Sequence, residues 1–117
     1  MTTETTHGDV SDTHATLSPA TVFELLLDDR RRYALYYLSR RVGAISLEEL
    51  VDGVARMEGV PTRRRLDAIA IEFHHNHLDR LVEAGVLRYD RDAETVERRP
   101  AARALDPHLE LVYGERP

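Results

Sequence analysis

The sequence predicts a mostly α-helical domain that ends in a two-stranded β-hairpin, and three observations carry this prediction. Ser46, followed three positions later by Glu49, forms a capping box at the start of an amphipathic stretch. Over residues 62–84, apolar side chains recur every three to five positions, which is typical of one long helix with a buried face. The segments 86–89 and 95–98 favour β structure and flank a polar turn, which predicts a hairpin.

Two shorter helices are predicted before the capping box. Ser18 is a good N-cap, and Pro19 suits the first helical position because its missing N–H is not needed there. The acidic pair at 28–29 caps a second helix over residues 30–41, and Gly43 provides its stop. The apolar stripe expected on this second helix consists of Ala34, Tyr37, Leu38 and Val42.

The resulting order is helix, helix, helix, turn, long helix and hairpin. This order is typical of a winged helix-turn-helix: three to four helices plus a two-stranded β-hairpin wing. We expect the domain to span 17–99, with a recognition helix over 62–84 and the wing over 86–99. Residues 1–16 are predicted to be a disordered acidic tail. Residues 100–117 are predicted to be a second tail with a short docking helix.

Composition suits a single domain with one modest core, since 42 % of the 117 residues are hydrophobic. The absence of cysteine excludes disulfides, thiolate metal sites and a cysteine nucleophile. No apolar run approaches the roughly 20 residues of a membrane span, and the first residues do not resemble a secretory signal. We therefore expect a cytoplasmic protein with no membrane partner. The residues predicted to be buried are Leu38, Leu50, Val54, Phe73, Leu78 and Leu81.

Charge is unevenly distributed along the chain. All 16 basic residues are arginine, against 21 acidic residues, and the net charge is −5. The segment 17–99 is nearly neutral, whereas residues 1–16 carry three acids and no arginine. Nucleotide bias and adaptation to a salt-rich cytoplasm both produce a lysine-free, acidic composition.

The end of the long helix carries a resemblance to a known class of regulators. Residues 77–87 read His-Leu-x-x-Leu-x-x-Ala-Gly-Val-Leu, and with the charged hairpin that follows they resemble the recognition helix and wing of ArsR-like transcriptional regulators. The whole of 17–99 is similar to a haloarchaeal winged-helix family of unknown function, through the segments 23–26, 30–33, 36–38, 46–50 and 74–78. The resemblance implies the fold. It does not extend to thiolate metal sensing, because the cysteine motif of classical ArsR repressors is missing.

Two arginine triplets open predicted helices, at 30–32 and at 63–65. Positive charge in a first helical turn opposes the helix dipole, at a cost of about 0.3–1 kcal/mol where it is exposed. Arginines at such an unfavourable position suggest a functional role, and one such role is contact with nucleic-acid phosphates. The alternative is that the arginines pair with acids on a solvated face, and the available acids are Asp28, Asp29, Glu58 and Asp67.

The histidines at 74, 75 and 77 suggest a metal site, because neutral imidazole is a common zinc ligand. Helical geometry favours a different interpretation, with His74 and His77 facing the apolar stripe and His75 pointing outward. No metal or other cofactor is therefore expected. Asn76 is suited to reading adenine edges in a major groove. The acids predicted to share its outward face would repel phosphates, and they are Glu72, Asp79 and Glu83.

In the predicted hairpin, arginines alternate with acids, so backbone contact with DNA and solvated ion pairs are both open alternatives. No nucleophile–base pair or phosphate-binding glycine loop is visible, so a non-catalytic protein is expected. The predicted function is a transcriptional regulator that binds double-stranded DNA. Its predicted DNA-binding residues are Arg63, Arg64, Arg65, His75, Asn76, Arg91 and Arg98.

A winged-helix adaptor that binds proteins and not DNA is the alternative, and the net acidity favours it. A homodimer is expected in either case, because regulators of this type gain affinity and specificity from two half-sites. The surfaces predicted to pair are the apolar first helix and the segment 105–112. No small-molecule ligand is indicated by the sequence.

Overall fold

Five helices and one three-stranded antiparallel sheet make up the part of the chain that the computed structural model describes, residues 17–114. The tail predicted at 1–16 lies outside the described residues. A 3-10 turn, Pro100–Leu105, precedes the last helix. In chain order the elements are α1 (Pro19–Leu27), α2 (Asp29–Ser39), β1 (Ile45–Ser46), α3 (Leu47–Glu58), α4 (residues 63–83), β2 (Leu87–Asp90), β3 (Thr95–Arg98) and α5 (Asp106–Tyr113).

The first four helices begin at side-chain caps; those of α1, α2 and α3 are predicted from the sequence, and that of α4 is not. Ser18 Oγ accepts a hydrogen bond from the backbone N–H of Thr21 at 3.1 Å. Asp28 Oδ1 accepts two, from the N–H groups of Arg30 at 2.9 Å and Arg31 at 3.0 Å. The caps of α3 and α4 are Ser46 and Thr62, which accept from the third residue of each helix at 2.9 and 3.2 Å.

The sheet has three strands in the order β1-β3-β2, so the prediction of a two-stranded sheet was wrong by one strand. Ile45 pairs with Val96 and Ser46 with Thr95, and β2 pairs with β3 as the predicted hairpin. A two-residue strand is too short to show alternation in the sequence. Its pairing depends on the burial of Ile45 beneath the hairpin, which is a tertiary contact.

The long helix α4 contains a π-helical turn. Its first part is Arg63–Glu72, its π turn is Phe73–His77 and its last part is Leu78–Glu83, with no break between them. The predicted long helix is therefore present, but with a wider turn near its middle. The five-residue step from Phe73 to Leu78, both buried, follows from this turn.

Helix α2 ends two residues before its predicted end. The backbone N–H groups of Arg40 and Arg41 turn back to the carbonyls of Tyr37 and Leu38, and the helix stops at Ser39. Val42 is consequently 99 % exposed, so its predicted place in the buried stripe was wrong. Leu35 supplies the core contact instead.

The six residues predicted to be buried all lie in the core, and this prediction is confirmed. The core also receives the C-terminal segment, through Ala102, Leu105 and Leu109. Helix α5 lies against α2, where the Tyr113 ring is 4.9 Å from the Tyr36 ring. Within residues 17–114, no helix is long and apolar enough to cross a membrane.

Gly85 ends α4 in the left-handed backbone region, at φ +81°. The N–H of Val86 reaches back to the carbonyl of Leu81 at 3.2 Å, which closes a Schellman-type cap. No atom stands where a Cβ would be placed, so the cost of substitution is a backbone cost. We expect Gly85→Val to lower the free energy of unfolding by at least about 1–2 kcal/mol in thermal or denaturant melts. Gly85→Asn should cost less, and a valine variant as stable as wild type would contradict this cap.

Leu78 is buried immediately after the π turn. Leu78→Ala removes packed side-chain atoms and leaves a cavity, so we expect a loss of about 2–5 kcal/mol in urea titration. Ile71→Ala on the exposed side of the same helix is the matched control, with an expected change within about 0.5 kcal/mol. Equal effects of the two substitutions would mean that the rotation of α4 described here is wrong.

Candidate functional site

Helix α4 presents one exposed side along its first four turns, which we call the outer face. Its exposed residues are Arg63, Arg64, Asp67, Ala68, Ile71, His74 and His75. Only one acid belongs to this set. Glu72, predicted to point outward with the phosphate-repelling acids, instead turns inward, where its Oε1 accepts from Arg30 Nη1 at 2.8 Å.

The three arginines that open α4 have different surroundings. The side chain of Arg63 is 84 % exposed, and its Nη1 lies 3.9 Å from Asp67 Oδ1, a loose pair. Among the described residues, Arg64 has neither an ion-pair nor a hydrogen-bond partner. Arg65 is half-buried and donates from Nη1 to Glu58 Oε1 at 3.0 Å. Of the three predicted phosphate contacts, Arg65 is therefore held within the protein, Arg63 is loosely paired and Arg64 is unpaired among the described residues.

The polar residues of the π turn, in the middle of α4, differ in exposure. His75 is exposed as predicted, but Asn76 is half-buried and its Oδ1 accepts from Arg80 Nε at 2.8 Å. His74 was predicted to face the core and is exposed instead, so that prediction was wrong. His77 follows Phe73 by four residues and shares its inward side, whereas His74 lies roughly a quarter turn from Phe73 and is exposed on the side of α4 that faces α3.

The two hairpin arginines predicted to contact DNA have different surroundings. Arg91 is exposed at the turn between β2 and β3, and its guanidinium carbon lies 5.9 Å from the centre of the Tyr89 ring. Arg98 lies at the opposite end of β3 and forms two parallel hydrogen bonds with the Asp106 carboxylate, both 2.8 Å long. The structure therefore does not bring Arg98 together with the outer face.

A cleft of about 610 Å³ runs beside the outer face, between α3, α4 and the hairpin turn. We call it the acidic groove. Leu66 and Ala70 supply apolar lining, and Arg63 and His74 belong to it as well as to the outer face. Five acids line it: Glu48, Glu49, Asp52, Asp67 and Glu94. The sequence did not indicate this groove, because its acids come from three separate elements.

The arginines at 30–32 all have partners within the protein. Two of the acids named in the pairing alternative are among them, Glu58 for Arg30 and Asp29 for Arg32, whereas Arg31 is buried and pairs with no carboxylate of the described residues. Arg30 binds both Glu58 and Glu72 and so joins α2 to α3 and α4. This contact, together with Arg65, holds the pKa of the Glu58 carboxyl below its usual value. Arg31 donates to the carbonyl of Glu24 at 2.8 Å, whereas the partners of Arg32 are Asp29, the Tyr113 hydroxyl and the Leu26 carbonyl.

His77 is fully buried on the inner side of α4. It belongs to a polar cluster that the sequence did not reveal. Its Nδ1 lies 3.4 Å from Arg31 Nη1, and its Nε2 lies 3.5 Å from Glu72 Oε1 and 3.6 Å from Asp28 Oδ1. Burial lowers the pKa of His77, outweighing the two carboxylates that favour the charged ring. The imidazole is therefore neutral near pH 7.

Asp28, Glu72 and His77 are also the described residues whose ligand atoms could surround a metal ion, since these atoms lie within 4.8 Å of one another. A guanidinium can only donate hydrogen bonds, so the contact with Arg31 makes Nδ1 an acceptor and places the ring proton on Nε2. A metal ligand needs a free lone pair at Nε2. The geometry thus suits an imidazole N–H between two carboxylates better than a cation.

Comparison with known protein families matches residues 23–97 to DUF7344, a domain of unknown function. The match runs from α1 to β3 and covers more than half of the chain, so the chain belongs to this family. No curated protein and no solved structure matches the chain. The resemblance to ArsR-like regulators and to a haloarchaeal family is not shown by these comparisons and stays a prediction.

The buried His77 predicts a pH dependence of stability. Because its pKa is lower in the folded than in the unfolded chain, the unfolded chain binds more protons as the pH falls below about 6.5. The contribution of the neutral His77 to the free energy of unfolding should be complete above that pH and should decline toward pH 5. For one proton, the free energy of unfolding should fall by at most about 1.4 kcal/mol per pH unit. Urea titrations at stepped pH measure the slope.

His77→Asn is the test variant for this prediction, and His75→Asn is its control because His75 is exposed. The first substitution should remove most of the slope between pH 6.5 and 5, and the second should leave it unchanged. A slope that survives in His77→Asn would assign it to other groups. Protonation of Asp28 destabilises only at lower pH, because the N–H groups of Arg31 and Arg30 lower its pKa despite its partial burial.

Proposed function

We propose that this domain is a winged helix-turn-helix and that it binds duplex DNA through the outer face of α4, as a regulator of transcription. The order of α2, β1, α3, α4 and the β2–β3 hairpin supports the fold assignment. So does the placement of β3 between β1 and β2, because the first strand and the hairpin then form one small sheet beside α3 and α4. In such folds the second helix of the helix-turn-helix enters the major groove.

The observation that carries the proposal is the different environment of the arginines that open α2 and α4. Arg30, Arg31 and Arg65 are held by groups of the protein, whereas Arg63 and Arg64 at the first two positions of α4 are exposed and at most loosely paired. Exposed cations at that position weaken the helix. Contact with DNA phosphates gives them a favourable partner.

The remaining proposed contacts are made by other exposed side chains. His75 and His74 belong to the outer face and would meet base edges, and Arg91 at the hairpin turn would act as the tip of a wing. Asn76 and Arg98 are left out of the proposed interface, because both are hydrogen-bonded within the protein.

The acidic groove opposes DNA binding at low ionic strength and much less at high ionic strength. In about 1 M salt the Debye length is near 3 Å, so the groove's carboxylates repel only phosphates that they almost touch. Four of the five acids belong to α3 or the hairpin turn, and only Asp67 belongs to the outer face itself. A salt-rich cytoplasm, one of the two explanations of the composition, would make this arrangement tolerable.

The same groove favours a second candidate function, an adaptor that binds a basic protein segment. Its five acids surround apolar lining from Leu66 and Ala70, which suits an arginine- or lysine-bearing peptide with one apolar side chain. Asp52 is already paired with Arg56 at 2.7 Å and Glu49 with Arg41 at 3.3 Å, so part of the negative charge is neutralised. We therefore rank this function second.

Arg64→Ala tests the DNA proposal directly. We expect weaker binding to all duplexes by a similar factor, and a decrease of about 1 in the slope of log affinity against log salt, because one phosphate contact is lost. Fluorescence anisotropy with genomic fragments at several KCl concentrations measures both quantities. Arg103→Ala is the matched control, since it removes the same charge from an exposed position on another element.

Two further variants serve two purposes. They distinguish recognition of bases from electrostatic attraction, and they distinguish the DNA-binding proposal from the adaptor proposal. His75→Ala should reduce the preference among sequences more than the overall affinity. Asp67→Asn should tighten binding, because it removes the one carboxylate of the outer face. If wild type prefers no genomic fragment and neither Arg64→Ala nor Asp67→Asn changes binding, the adaptor becomes the better proposal.

A further inference from the structure

A second surface of interest lies on α1 and α5, outside the elements assigned to DNA. Four large apolar side chains are exposed there: Phe23 by 65 %, Leu27 by 77 %, Leu111 by 84 % and Val112 by 53 %. Single exposed apolar residues are ordinary on protein surfaces, whereas clustered ones mark a contact. The two helices belong to opposite ends of the chain, so their sequence positions alone do not show this cluster.

Two of the four side chains, Leu111 and Val112, line a cleft of about 410 Å³ together with His108 of the same helix. Leu26 of α1 and Arg32 of α2 also line this cleft, whereas Phe23 and Leu27 lie outside it. Leu26 lies one turn after Phe23 on α1, so the apolar surface continues from the cleft onto that helix. We call this surface the apolar face. It comprises Phe23, Leu26, Leu27, Leu111 and Val112.

The apolar face carries no unpaired charge among the residues that line its cleft. The guanidinium of Arg32 is held by Asp29 at 2.7 Å and by the Tyr113 hydroxyl at 2.9 Å. No carboxylate lines the cleft between α1 and α5. This surface therefore differs from the acidic groove, where a partner of opposite charge is required.

Residues 1–16 are poorly suited to cover the apolar face. They carry three acids and no arginine, and their large apolar side chains are only Met1 and Val10. This segment would bring charge onto an apolar surface and supplies few side chains to fill its cleft.

We propose that the apolar face binds the same face of a second copy, giving a two-fold symmetric dimer. A two-fold contact places each patch against itself, so an uncharged apolar patch is self-complementary, while a charged patch meets its own charge. This matters for a chain of net charge −5, because two copies repel each other over most of their surface. The segment predicted to pair over 105–112 contributes only partly, since Leu105 and Leu109 are buried within the monomer.

The dimer leaves the outer face of α4 free in each copy, because the apolar face belongs to α1 and α5. Two outer faces in one particle would then read two half-sites, a consequence that rests on the proposed DNA binding. The association itself does not rest on that proposal and is measured without DNA.

Sedimentation velocity of the full chain at 1–200 µM tests the dimer. We expect self-association that strengthens as KCl rises, because salt screens the repulsion between acidic copies and does not weaken apolar contacts. The double substitution Phe23→Ser, Leu111→Ser should raise the dissociation constant at least about tenfold. The control Val60→Ser, Val82→Ser removes exposed apolar side chains elsewhere and should leave it unchanged. All four side chains are exposed, and circular dichroism confirms that each variant is folded.

Three results would overturn the proposal. The protein could be a monomer at 200 µM in concentrated KCl, the double substitution Phe23→Ser, Leu111→Ser could leave the dissociation constant unchanged, or the control pair could weaken the dimer equally. Arg64→Ala distinguishes this proposal from the DNA proposal, since it should alter DNA binding and leave the dimer intact. A dimer that binds no DNA would overturn the DNA proposal alone.

Discussion

The polar contact between α2 and α4, where Arg31 meets His77, is the interaction on which the rest of the structure depends. Burying Phe73 and Leu81 requires the inner side of α4 to face the core, and His77, four residues after Phe73, places its polar ring on that same side. A buried imidazole needs hydrogen-bonding partners. Arg31 supplies one at Nδ1 while also binding backbone carbonyls of α1, so one side chain of α2 joins three helices.

The same constraint explains how a lysine-free chain uses its arginines. Arg30 reaches Glu58 and Glu72 on two other helices at once, and Arg98 forms a paired hydrogen bond with Asp106. A planar guanidinium suits such geometry better than an ammonium group. Once these internal contacts are made, few cations remain exposed near α4, so their position carries more information about function than the total charge does.

Local sequence signals predicted the helix starts and the core well, because caps such as Ser46 and the apolar spacing act within a few residues. They did not predict features that depend on distant partners. Strand β1 needs Val96 across the sheet, and the inward turn of Glu72 needs Arg30 from another helix. Arg98 and Asn76 are residue types that commonly contact DNA, but each is held by a side chain close to it in the sequence, Asp106 and Arg80 respectively, and side-chain pairing of this kind is not visible in the residue pattern alone. The acidic groove was missed because its acids come from three separate elements.

The wide turn at Phe73–His77 makes the direction of the second half of α4 sensitive to chain length at this point. A π turn is equivalent to one residue inserted into a regular α-helix, so the part after it is rotated by roughly 100° relative to the part before it. A relative that lacks one residue here would carry a regular helix whose last two turns point in another direction. Its Arg80 would then turn away from Glu24 of α1, and its buried histidine would leave the carboxylates around it. Length at this single point, more than side-chain identity, thus separates two geometries of the same helix.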